Sequence, residues 1–533
     1  MPELSSVDLS TTPATVSFPR RYNAAFDLIE RNLQAGRSAK IAFIDDAGSY
    51  SYGELSRRIN RFANAITALG VQPEQRVLLC MLDTIDWPVA FLGCILAGVV
   101  PVAANTLLTT EDYEYMLGDS RARALIVSDQ LWPKLEPIMG AMQQLEHIVV
   151  SGKSNNISTA GTHQFSDLCA AASDHFDAAQ TSPDEACFWL YSSGSTGAPK
   201  GTVHVHSSLI NTAELYARPV LGLREDDLVF SAAKLFFAYG LGNGLTFPLA
   251  VGATALLMAE RSVPEAIFHR LRGHQPTIFY GVPTLFAALL ASPALPKRGE
   301  LRMRLCTSAG EALPADIGKR WTGHFGVEIL DGIGSTEMLH VFLSNRAGAV
   351  RYGTTGVPIP GYALRILDEQ GRNLPCGEVG ELQVSGPTAA MAYWNNREKT
   401  RQTFQGTWTR SGDKYSVDND GYYTYAGRSD DMLKVGGIYV SPIEVESSLI
   451  THPAVLEAAV IGRPDDAKLV KPQAFVVLKP GFSASDALAS ELQQHVKSRL
   501  APYKYPRWIE FIDELPKTAT GKIQRFRLRA RVA

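Results

Sequence analysis

The chain has 533 residues, of which 45% are hydrophobic and 20% charged, a composition typical of folded rather than disordered proteins. Its 51 basic and 54 acidic residues give a formal net charge of −3 at pH 7, which excludes the strong basic excess of a general nucleic-acid-binding protein. At about 150 residues per unit, the length predicts three or four domain-sized units and favours a large multidomain enzyme.

The cysteines and the N-terminal segment bear on the cellular compartment. The six cysteines are scattered, without a CxxC pair, at positions Cys80, Cys94, Cys169, Cys187, Cys306 and Cys376. Neither a disulfide framework nor a structural zinc site is expected from this pattern. The first twenty residues lack a basic stretch followed by an apolar core, so no secretory signal is expected. We therefore expect a reducing compartment, the cytoplasm.

One stretch near residue 90 resembles a membrane span. No charged residue occurs from Trp87 to Thr110, and residues 87–104 are almost wholly apolar. Several residues that favour short elements and turns interrupt the run: Pro88, Gly93, Gly98, Pro101 and Asn105. The pattern predicts a buried helix, WPVAFLGCILAG, followed by a strand, VVPVAAN, and no membrane span.

The order of apolar patterns along the chain predicts the fold class. Strand-like runs alternate with helical patterns from residue 20 onward, which favours parallel sheets covered by helices. After Gly353 the strands become shorter and richer in glycine, as expected for an antiparallel or barrel-like piece. From about Asp430 a basic hairpin, helices and strands indicate a small α+β domain. We therefore expect two domains, residues 1–429 and 430–533.

The most informative segment runs from Tyr191 to Gly201 and reads YSSGSTGAPKG. Its glycines free the backbone to present N–H groups at close range, its hydroxyls add donors, and Lys200 adds positive charge, which together suit a polyphosphate. Pro199 stands where a Walker A motif needs its second glycine, so a P-loop motor or kinase is disfavoured. The pattern predicts a phosphate-binding loop of another kind.

This segment resembles the signature of adenylate-forming enzymes: acyl- and aryl-CoA ligases, peptide-synthetase adenylation domains and firefly-type luciferases. Further motifs follow in that family's order and spacing: Ser308–Glu311 (SAGE), Asp331–Glu337 (DGIGSTE), Gly380–Gly386 (GELQVSG), Ser411–Asp413 (SGD), Gly427–Gly437 (GRSDDMLKVGG) and Pro516–Lys522 (PKTATGK). The resemblance covers nearly the whole chain. The stretches KLFFAYGLGNGLTFPL and GSTEMLHVFLSN look most like those of benzoate-CoA ligases.

The resemblance implies both a fold and a reaction. The implied fold is a large N-terminal domain of parallel α/β sheets with a small barrel-like subdomain, joined to a small mobile α+β C-terminal domain. In the implied reaction a carboxylate attacks the α-phosphate of ATP, giving acyl-AMP and pyrophosphate, and CoA then displaces AMP to form a thioester. ATP, Mg²⁺ and CoA are the expected cofactor and cosubstrates.

The resemblance also assigns phosphate and metal contacts. The loop is expected to hold the β- and γ-phosphates through Ser192, Ser193, Gly194, Ser195, Thr196, Gly197 and Lys200. Thr336 is expected to bond the α-phosphate, and Glu337 to help hold Mg²⁺, which places both residues at the metal–phosphate centre. Lys522 is expected to bridge the carboxylate substrate and the α-phosphate, where a fixed cation stabilises developing charge.

The remaining nucleotide and CoA contacts follow from the same family motifs. The residues expected around the adenine are Ala309, Gly310, Glu311, Asp331 and Gly332. Asp413 is the expected acceptor for the ribose hydroxyls, and Arg428 is a second nucleotide contact. Asp430 matches the family's hinge, about which the C-terminal domain would present two faces in turn. On the second face, Lys434, Gly436 and Gly437 would line a pantetheine tunnel.

The acyl pocket is expected to be compact and aromatic, which suits a flat ring. Its expected residues are Phe236, Phe237, Tyr239, Gly240, Ala309, Gly334 and His340, with Val341 beside them. Phe237 occupies a place that the family often gives to histidine, which leaves its gating role open. His340 is either a hydrogen-bond partner for a ring substituent or a structural histidine.

Benzoate or a substituted benzoate is the first choice of substrate. The alternatives are a short- or medium-chain fatty acid, a luciferase-like monooxygenase, and a non-catalytic nucleotide sensor. The expected partners are small molecules without nucleic acid, and the expected state is a monomer or a homodimer.

Overall fold

A computed structural model describes residues 2–153, 161–194, 197–429, 431–435, 438–465, 469–501, 503–517 and 523–532. Within these ranges strands and helices alternate over the first two thirds of the chain. A run of antiparallel strands follows, and a smaller mixed unit lies at the C-terminal end.

The strands up to residue 205 are β1 (Ser6–Asp8), β2 (Thr15–Ser17), β3 (Ile41–Asp45), β4 (Gly48–Ser51), β5 (Arg76–Cys80), β6 (Val100–Ala103), β7 (Ala124–Ser128), β8 (His147–Ser151), β9 (Thr162–Gln164), β10 (Ala186–Gly194) and β11 (Gly197–Val205). Those from there to residue 393 are β12 (Leu228–Ser231), β13 (Thr254–Leu256), β14 (Ile278–Gly281), β15 (Leu305–Ser308), β16 (Ile329–Gly334), β17 (Val341–Ser344), β18 (Val357–Pro358), β19 (Ala363–Leu367), β20 (Gly380–Ser385) and β21 (Ala392–Tyr393). The last strands are β22 (Phe404–Gln405), β23 (Trp408–Val417), β24 (Tyr423–Arg428), β25 (Leu433–Val435), β26 (Ile438–Val440), β27 (Val455–Pro464), β28 (Val470–Leu478) and β29 (Trp508–Phe511).

The α-helices of the first half are α1 (Ala24–Gln34), α2 (Tyr52–Ala68), α3 (Asp86–Leu96), α4 (Thr110–Ser120), α5 (Trp132–Leu135), α6 (Phe165–Ala171), α7 (His206–Thr212), α8 (Ala238–Leu241), α9 (Phe247–Val251) and α10 (Pro264–His274). The second half contains α11 (Pro283–Ala291), α12 (Ala315–Phe325), α13 (Arg397–Thr403), α14 (Pro442–Ile450), α15 (Asp486–Lys497) and α16 (Arg525–Val532). Two π-helical turns, Ala213–Ala217 and Gly242–Thr246, continue α7 and α8, and 3₁₀ turns cover Asp129–Leu131 and Glu136–Ala141.

Two large sheets form the body of the molecule. The first has the strand order β21-β11-β10-β6-β5-β7-β8-β9, and the second the order β18-β17-β16-β15-β14-β12-β13-β3-β4. Their central strands pair in parallel, from β10 to β9 in the first sheet and from β16 to β3 in the second. The expected α/β class with parallel sheets is confirmed.

Helices of the body show how the sequence pattern becomes packing. Helix α2 begins where the Ser51 hydroxyl accepts the Glu54 N–H at 3.2 Å, a standard N-cap. Its apolar residues recur on one face, and Phe62 meets α3 at Gly93, where a Cβ atom would lie only 2.7 Å from the Phe62 ring. Helix α3 is buried throughout and leads into β6, so the apolar run near residue 90 is the βαβ element that was predicted. Among the described residues no helix is both long and apolar enough to cross a membrane.

The glycine-rich region after Gly353 forms an antiparallel sheet in the order β19-β20-β23-β22, with β24 paired to β23. The predicted change from parallel to antiparallel structure is therefore confirmed. This sheet places Asp413 opposite Arg428 in the β23–β24 pair.

The C-terminal unit (residues 431–532) has hydrophobic clusters of its own. Strands β27 and β28 pair antiparallel and β29 joins β28 in parallel. Val460 packs in one cluster with α14 and α15, and the next residue, Ile461, packs in a second cluster with α16, because successive side chains of a strand point to opposite faces. This is the small α+β piece predicted for the end of the chain.

The segment from Tyr191 to Gly201 differs from its prediction as a loop. Strands β10 and β11 continue into it as an antiparallel hairpin, with Ser192 opposite Lys200 and Gly194 opposite Gly197. The pairing extends into this segment because its glycines and small residues allow the two strands to approach closely, and β6 pairs with β10 just before it, at Trp189 and Leu190.

His206 provides a pH-dependent contact within the body. Its Nδ1 atom accepts the Ala24 N–H at 3.1 Å at the start of α1, and burial lowers the pKa of His206 to about 3. The unfolded chain takes up this proton near pH 6.5, so the stabilisation is complete above that pH and is lost as the pH falls towards 3.

Between pH 6 and 4 the free energy of unfolding should rise with pH, in part because the unfolded chain binds a proton at His206 that the folded chain does not. We expect His206→Gln to lower this slope by up to about 1.4 kcal/mol per pH unit. Denaturant unfolding at a series of pH values measures this slope. His175→Gln, at an exposed position, is the matched control and should leave the slope unchanged. Equal slopes for the wild-type chain and His206→Gln would contradict the assignment.

Candidate active site

The end of the β10–β11 hairpin meets a short turn that follows β16. This turn (Ser335–His340) contains Thr336 and Glu337, as predicted for a strand end. Glu337 Oε1 accepts a hydrogen bond from the Tyr393 hydroxyl at 2.7 Å and a longer one from the Ser192 hydroxyl at 3.4 Å. The structure thus brings the predicted phosphate loop and the predicted metal carboxylate together.

Two other segments, β11 and residues 388–390, hold the backbone of this turn through three hydrogen bonds. The carbonyl of Thr336 accepts from the His204 ring, that of Glu337 from the Ala390 N–H, and that of Met338 from the Thr388 hydroxyl, each at 2.7 Å. Burial lowers the pKa of His204 to about 4, so the ring is neutral and its Nε2–H is the donor.

The same turn contains a strained residue. Leu339 has φ +65°, in the left-handed region that bulky side chains avoid, and its side chain is buried. Such a conformation costs on the order of 1–3 kcal/mol and persists where the surroundings fix it. The three backbone contacts above supply that restraint.

Lys200 lies near the turn and forms no ion pair with any other described residue. Its Nζ atom stands 4.7 Å from the centroid of the Tyr393 ring, a cation–π distance. Burial lowers the pKa of Lys200, Glu337 opposes this shift, and the positive charges of Lys399 and Arg428 add to it. The ammonium is therefore partly desolvated among other cations, an environment that favours an anionic ligand.

The predicted adenine contacts lie where the parallel pairing of β15 with β16 ends, with Ser308 opposite Asp331. One oxygen of Asp331 accepts the Leu313 N–H at 3.4 Å. Within the described ranges, the other oxygen and the Ser308 hydroxyl are buried without a hydrogen-bond partner. Burial raises the pKa of Asp331 well above its usual range. Buried unpartnered polar atoms are rare in folded proteins, so these two indicate a polar ligand at this edge.

The other residues predicted around the adenine lie at the same edge. Ala309 is buried, and Gly310 follows it with φ +96° at an exposed turn that leads to the half-buried Glu311. Gly332 allows β16 and β17 to approach, since a Cβ atom there would lie 2.9 Å from Val341.

Asp413 and Arg428 form a second polar pair at the antiparallel sheet. Arg428 donates to the Asp413 carboxylate at 3.1 Å and to the Ser411 carbonyl at 3.2 Å. Gly412, with φ +75°, makes room for the guanidinium, because a Cβ atom there would lie 2.8 Å from its Nη2. The structure therefore joins the two residues that the sequence assigned separately to the nucleotide.

The residues predicted for the acyl pocket form two groups, one around the Phe236–Phe237 pair and one around Tyr239 and His340. Phe236 and Phe237 contact each other edge to face at 4.5 Å. Tyr239 donates or accepts a hydrogen bond with Thr307, two residues before Ala309, and its carbonyl accepts from His340 at 3.2 Å. Small residues permit these approaches: a Cβ atom at Gly240 would lie 2.0 Å from the Lys234 carbonyl, and one at Gly334 would lie 2.5 Å from the His340 carbonyl.

His340 is enclosed by aromatic rings. Its ring lies 4.5 Å from Phe247, 5.5 Å from Tyr216 and 5.6 Å from Tyr239. Burial lowers the pKa of His340 to about 3, and within the described part of the chain its Nδ1 atom has no hydrogen-bond partner. The side chain is thus a neutral part of an aromatic wall, with one acceptor atom left open.

Six of the predicted site residues lie outside the described residues: Ser195, Thr196, Asp430, Gly436, Gly437 and Lys522. Ser193, Gly194 and Gly197 lie in the hairpin strands and Lys434 lies in β25, where only the backbone is described.

The structure also shows residues that sequence reasoning missed. His204 and Tyr393 support the Thr336–Glu337 turn, and Tyr216 and Gly242 support His340. Each acts through a contact between segments far apart in sequence, so no local pattern marked them.

Comparison of the sequence with known protein families gives two matches. The AMP-binding enzyme family matches residues 29–394, and the AMP-binding enzyme C-terminal domain matches residues 444–522. The chain belongs to the AMP-binding enzyme family.

Two curated relatives resemble it over almost their whole lengths. A benzoate–CoA ligase of Thauera aromatica is 66% identical over 529 residues, covering 99% of both chains. A 4-hydroxybenzoate–CoA/benzoate–CoA ligase of Rhodopseudomonas palustris is 50% identical, covering 96% of this chain and 94% of the relative.

Solved structures of this family agree with the fold. A benzoate CoA ligase from Burkholderia xenovorans has a TM-score of 0.89 at 59% identity, covering 95% of this chain and 100% of that one. An anthranilate CoA ligase in complex with anthranoyl-AMP has a TM-score of 0.92 at 46% identity, covering 97% and 98%.

The packing around His340 gives a stability prediction. A Cβ atom at Gly242 would lie 2.4 Å from the His340 ring, in a fully buried site. We expect Gly242→Ala to lower the free energy of unfolding by about 1–3 kcal/mol through overpacking. Denaturant unfolding measures the change.

Gly273→Ala, in helix α10 with open space around its Cβ position, is the matched control. We expect it to be neutral or to stabilise the chain by up to about 1 kcal/mol, because alanine favours the helix. A Gly242→Ala variant as stable as this control would contradict the described packing.

Proposed function

We propose that this chain is an ATP-dependent aryl-CoA ligase that activates benzoate or a substituted benzoate as aryl-AMP and transfers the aryl group to CoA. The observation that carries this proposal is the hydrogen bond from Ser192, on the phosphate-loop hairpin, to Glu337. Lys200, on the same hairpin, lies over the ring of Tyr393. The likeness to ligases named for benzoate and anthranilate supports the choice of an aromatic acid.

In the first half-reaction, a carboxylate oxygen of the acid attacks the α-phosphorus of ATP and pyrophosphate leaves. Two anions must approach each other, so the chain has to position and neutralise charge. Lys200 and the backbone N–H groups of the hairpin end would hold the outer phosphates, and Thr336 the α-phosphate. Lys522 would bridge the attacking carboxylate and the α-phosphate.

A magnesium ion fits the donor set at Glu337. Carboxylates and phosphate oxygens are the ligands that Mg²⁺ prefers. Oε1 of Glu337 is held by Tyr393, whereas Oε2 makes no hydrogen bond or ion pair within the described ranges. A bound Mg²⁺ would neutralise part of the triphosphate charge.

The pocket features support an aromatic substrate. The Phe236–Phe237 pair, Tyr239 and the neutral His340 form flat, uncharged surfaces, and the absence of a side chain at Gly334 lets the backbone pack closely against that of His340. Such surfaces suit a benzene ring, which stacks on or packs edge to face against aromatic side chains.

In the second half-reaction, the CoA sulfur attacks the acyl carbon and AMP leaves. We infer that the unit after residue 430 turns to present a different face for this step. Ser429 is anchored to the body through Glu381 at 2.7 Å, while Asp431 is ion-paired with Arg529 of the C-terminal unit at 2.9 Å. Only residue 430 separates the two anchors, which supports a short hinge there.

Incubation with ATP, Mg²⁺, CoA and a panel of aromatic and aliphatic acids tests the function. We expect AMP, pyrophosphate and a CoA thioester, with kcat/KM for benzoate at least about 10-fold above that for hexanoate, since an aromatic wall discriminates by packing. Formation of ADP instead of AMP, or a preference for hexanoate, would contradict the proposal. Oxygen consumption or light emission would favour a luciferase-like reaction.

Lys522→Ala separates the two half-reactions. We expect it to slow pyrophosphate release about 10²–10³-fold, because a fixed cation at the transition state is lost. Thioester formation from supplied benzoyl-AMP should stay near the wild-type rate.

Lys517→Ala is the matched control for Lys522→Ala. Lys517 lies in the same segment and is ion-paired with Glu457 at 2.5 Å, so its loss should leave pyrophosphate release nearly unchanged. Equal loss of both half-reactions in Lys522→Ala would contradict the alternation of domains.

A further inference from the structure

We propose that Tyr393 is a positioning residue for the first half-reaction, holding the Glu337 carboxylate with its hydroxyl and the Lys200 ammonium with its ring. This inference rests on the proposed function. One side chain would thus hold both Lys200 and Glu337, the cation and the anion that we propose contact the nucleotide.

The two contacts use different parts of the tyrosine. The hydroxyl donates to Glu337 Oε1 at 2.7 Å, and Lys200 Nζ lies 4.7 Å from the ring centroid. A hydrogen bond to a carboxylate is directional, whereas a cation–π contact requires the ammonium to lie over the ring face. Together they fix both charged groups relative to one rigid plane.

Tyr393 is itself held firmly. Its strand, β21, pairs with β11 at Thr202, so the residue is fixed to the hairpin strand that contains Lys200. The Tyr393 N–H donates to Thr400 Oγ1 at 3.0 Å, and the ring packs against Phe404 at 5.4 Å. Only 4% of the residue is exposed. These restraints leave the hydroxyl little freedom to turn away from Glu337.

The arrangement keeps two opposite charges apart. In the part of the chain that the structure describes, neither Lys200 nor Glu337 forms an ion pair, although the charge of Glu337 acts on Lys200. A direct ion pair would satisfy both groups and weaken their hold on phosphate or a cation. Tyr393 instead gives each group a contact of its own, the hydroxyl for Glu337 and the ring face for Lys200.

The two oxygens of Glu337 have different surroundings. Oε1 accepts the Tyr393 hydroxyl at 2.7 Å, whereas no hydrogen bond to Oε2 occurs within the described ranges, so Oε2 is left for a ligand.

The test is a double-mutant cycle between Tyr393→Phe and Glu337→Gln, read by pyrophosphate release with ATP, Mg²⁺ and benzoate. Tyr393→Phe keeps the ring and deletes only the hydroxyl. We expect it to lower kcat about 10-fold to 100-fold, the value of a hydrogen bond to a charged group, with KM for benzoate changed less than about 2-fold. In the Glu337→Gln background, Tyr393→Phe should have little further effect.

A second variant tests the ring. We expect Tyr393→Leu to raise KM for ATP further than Tyr393→Phe does, because Lys200 loses its cation–π partner. In a Lys200→Ala background, this extra rise should vanish. Thioester formation from supplied benzoyl-AMP should remain near wild type in each variant, which shows that the protein is folded.

Tyr422→Phe is the matched control. Tyr422 also lies beneath a cation, Arg351 at 3.9 Å, and donates a hydrogen bond to the Ala349 carbonyl at 3.1 Å. It lies just before β24, next to the end of the β23–β24 pair that is far from Asp413. It should leave both half-reactions unchanged.

The inference alone is overturned by wild-type pyrophosphate release in Tyr393→Phe, or by additive effects of Tyr393→Phe and Glu337→Gln. Equal losses in both half-reactions would also overturn it, since they indicate general damage. Absence of pyrophosphate release by the unmodified chain with every acid would overturn the proposed function, and the inference with it.

Discussion

The position of Glu337 depends on a turn whose backbone conformation is unfavourable without contacts from neighbouring segments. Leu339 lies in the left-handed backbone region, which is unfavourable for a bulky side chain. Hydrogen bonds from His204 and Thr388 to the backbone, and from Tyr393 to the carboxylate, fix the turn from outside. Strain of this kind is tolerated where several neighbours agree on one geometry, and it often marks a functional site.

Lys200, the cation near that turn, is partly desolvated and forms no ion pair with a described residue. Lys200 has an aromatic face as its close neighbour, and the cations Lys399 and Arg428 act on it at longer range. Because a low-dielectric environment strengthens electrostatic interactions, such a site attracts a polyanion more strongly than exposed lysines would. The same environment makes the placement of each charge critical, which gives the support from Tyr393 its importance.

The aromatic wall around His340, which we propose lines the acyl pocket, follows the opposite principle and contains no charged group among its described residues. His340 is neutral, surrounded by rings, and fixed through the Tyr239 carbonyl. Two π-helical turns contribute Tyr216 and Gly242 to this packing. Irregular turns of this type often occur at functional sites, because they shift side chains by one position relative to a regular helix.

The sequence alone determined the fold class, the order of elements and most of the motif positions. Alternating apolar patterns predicted the parallel sheets, and the buried helix near residue 90 was distinguished from a membrane span by its prolines and glycines. Hydrophobic periodicity and chain punctuation are local properties, so they can be read without a structure. The predicted roles of Thr336, Glu337, Asp413 and Lys522 came from a family resemblance and remain predictions.

Only the tertiary structure decided which groups meet. The hairpin form of the predicted phosphate loop arises because β10 pairs with β11 through this segment. The contacts of His204 and Tyr393 with the Thr336–Glu337 turn join residues more than 50 positions apart. The sequence around Tyr393 shows no sign of a partner at Glu337, since hydrogen bonds between distant segments depend on how sheets pack. Local pattern fixed the elements, and long-range packing fixed the site.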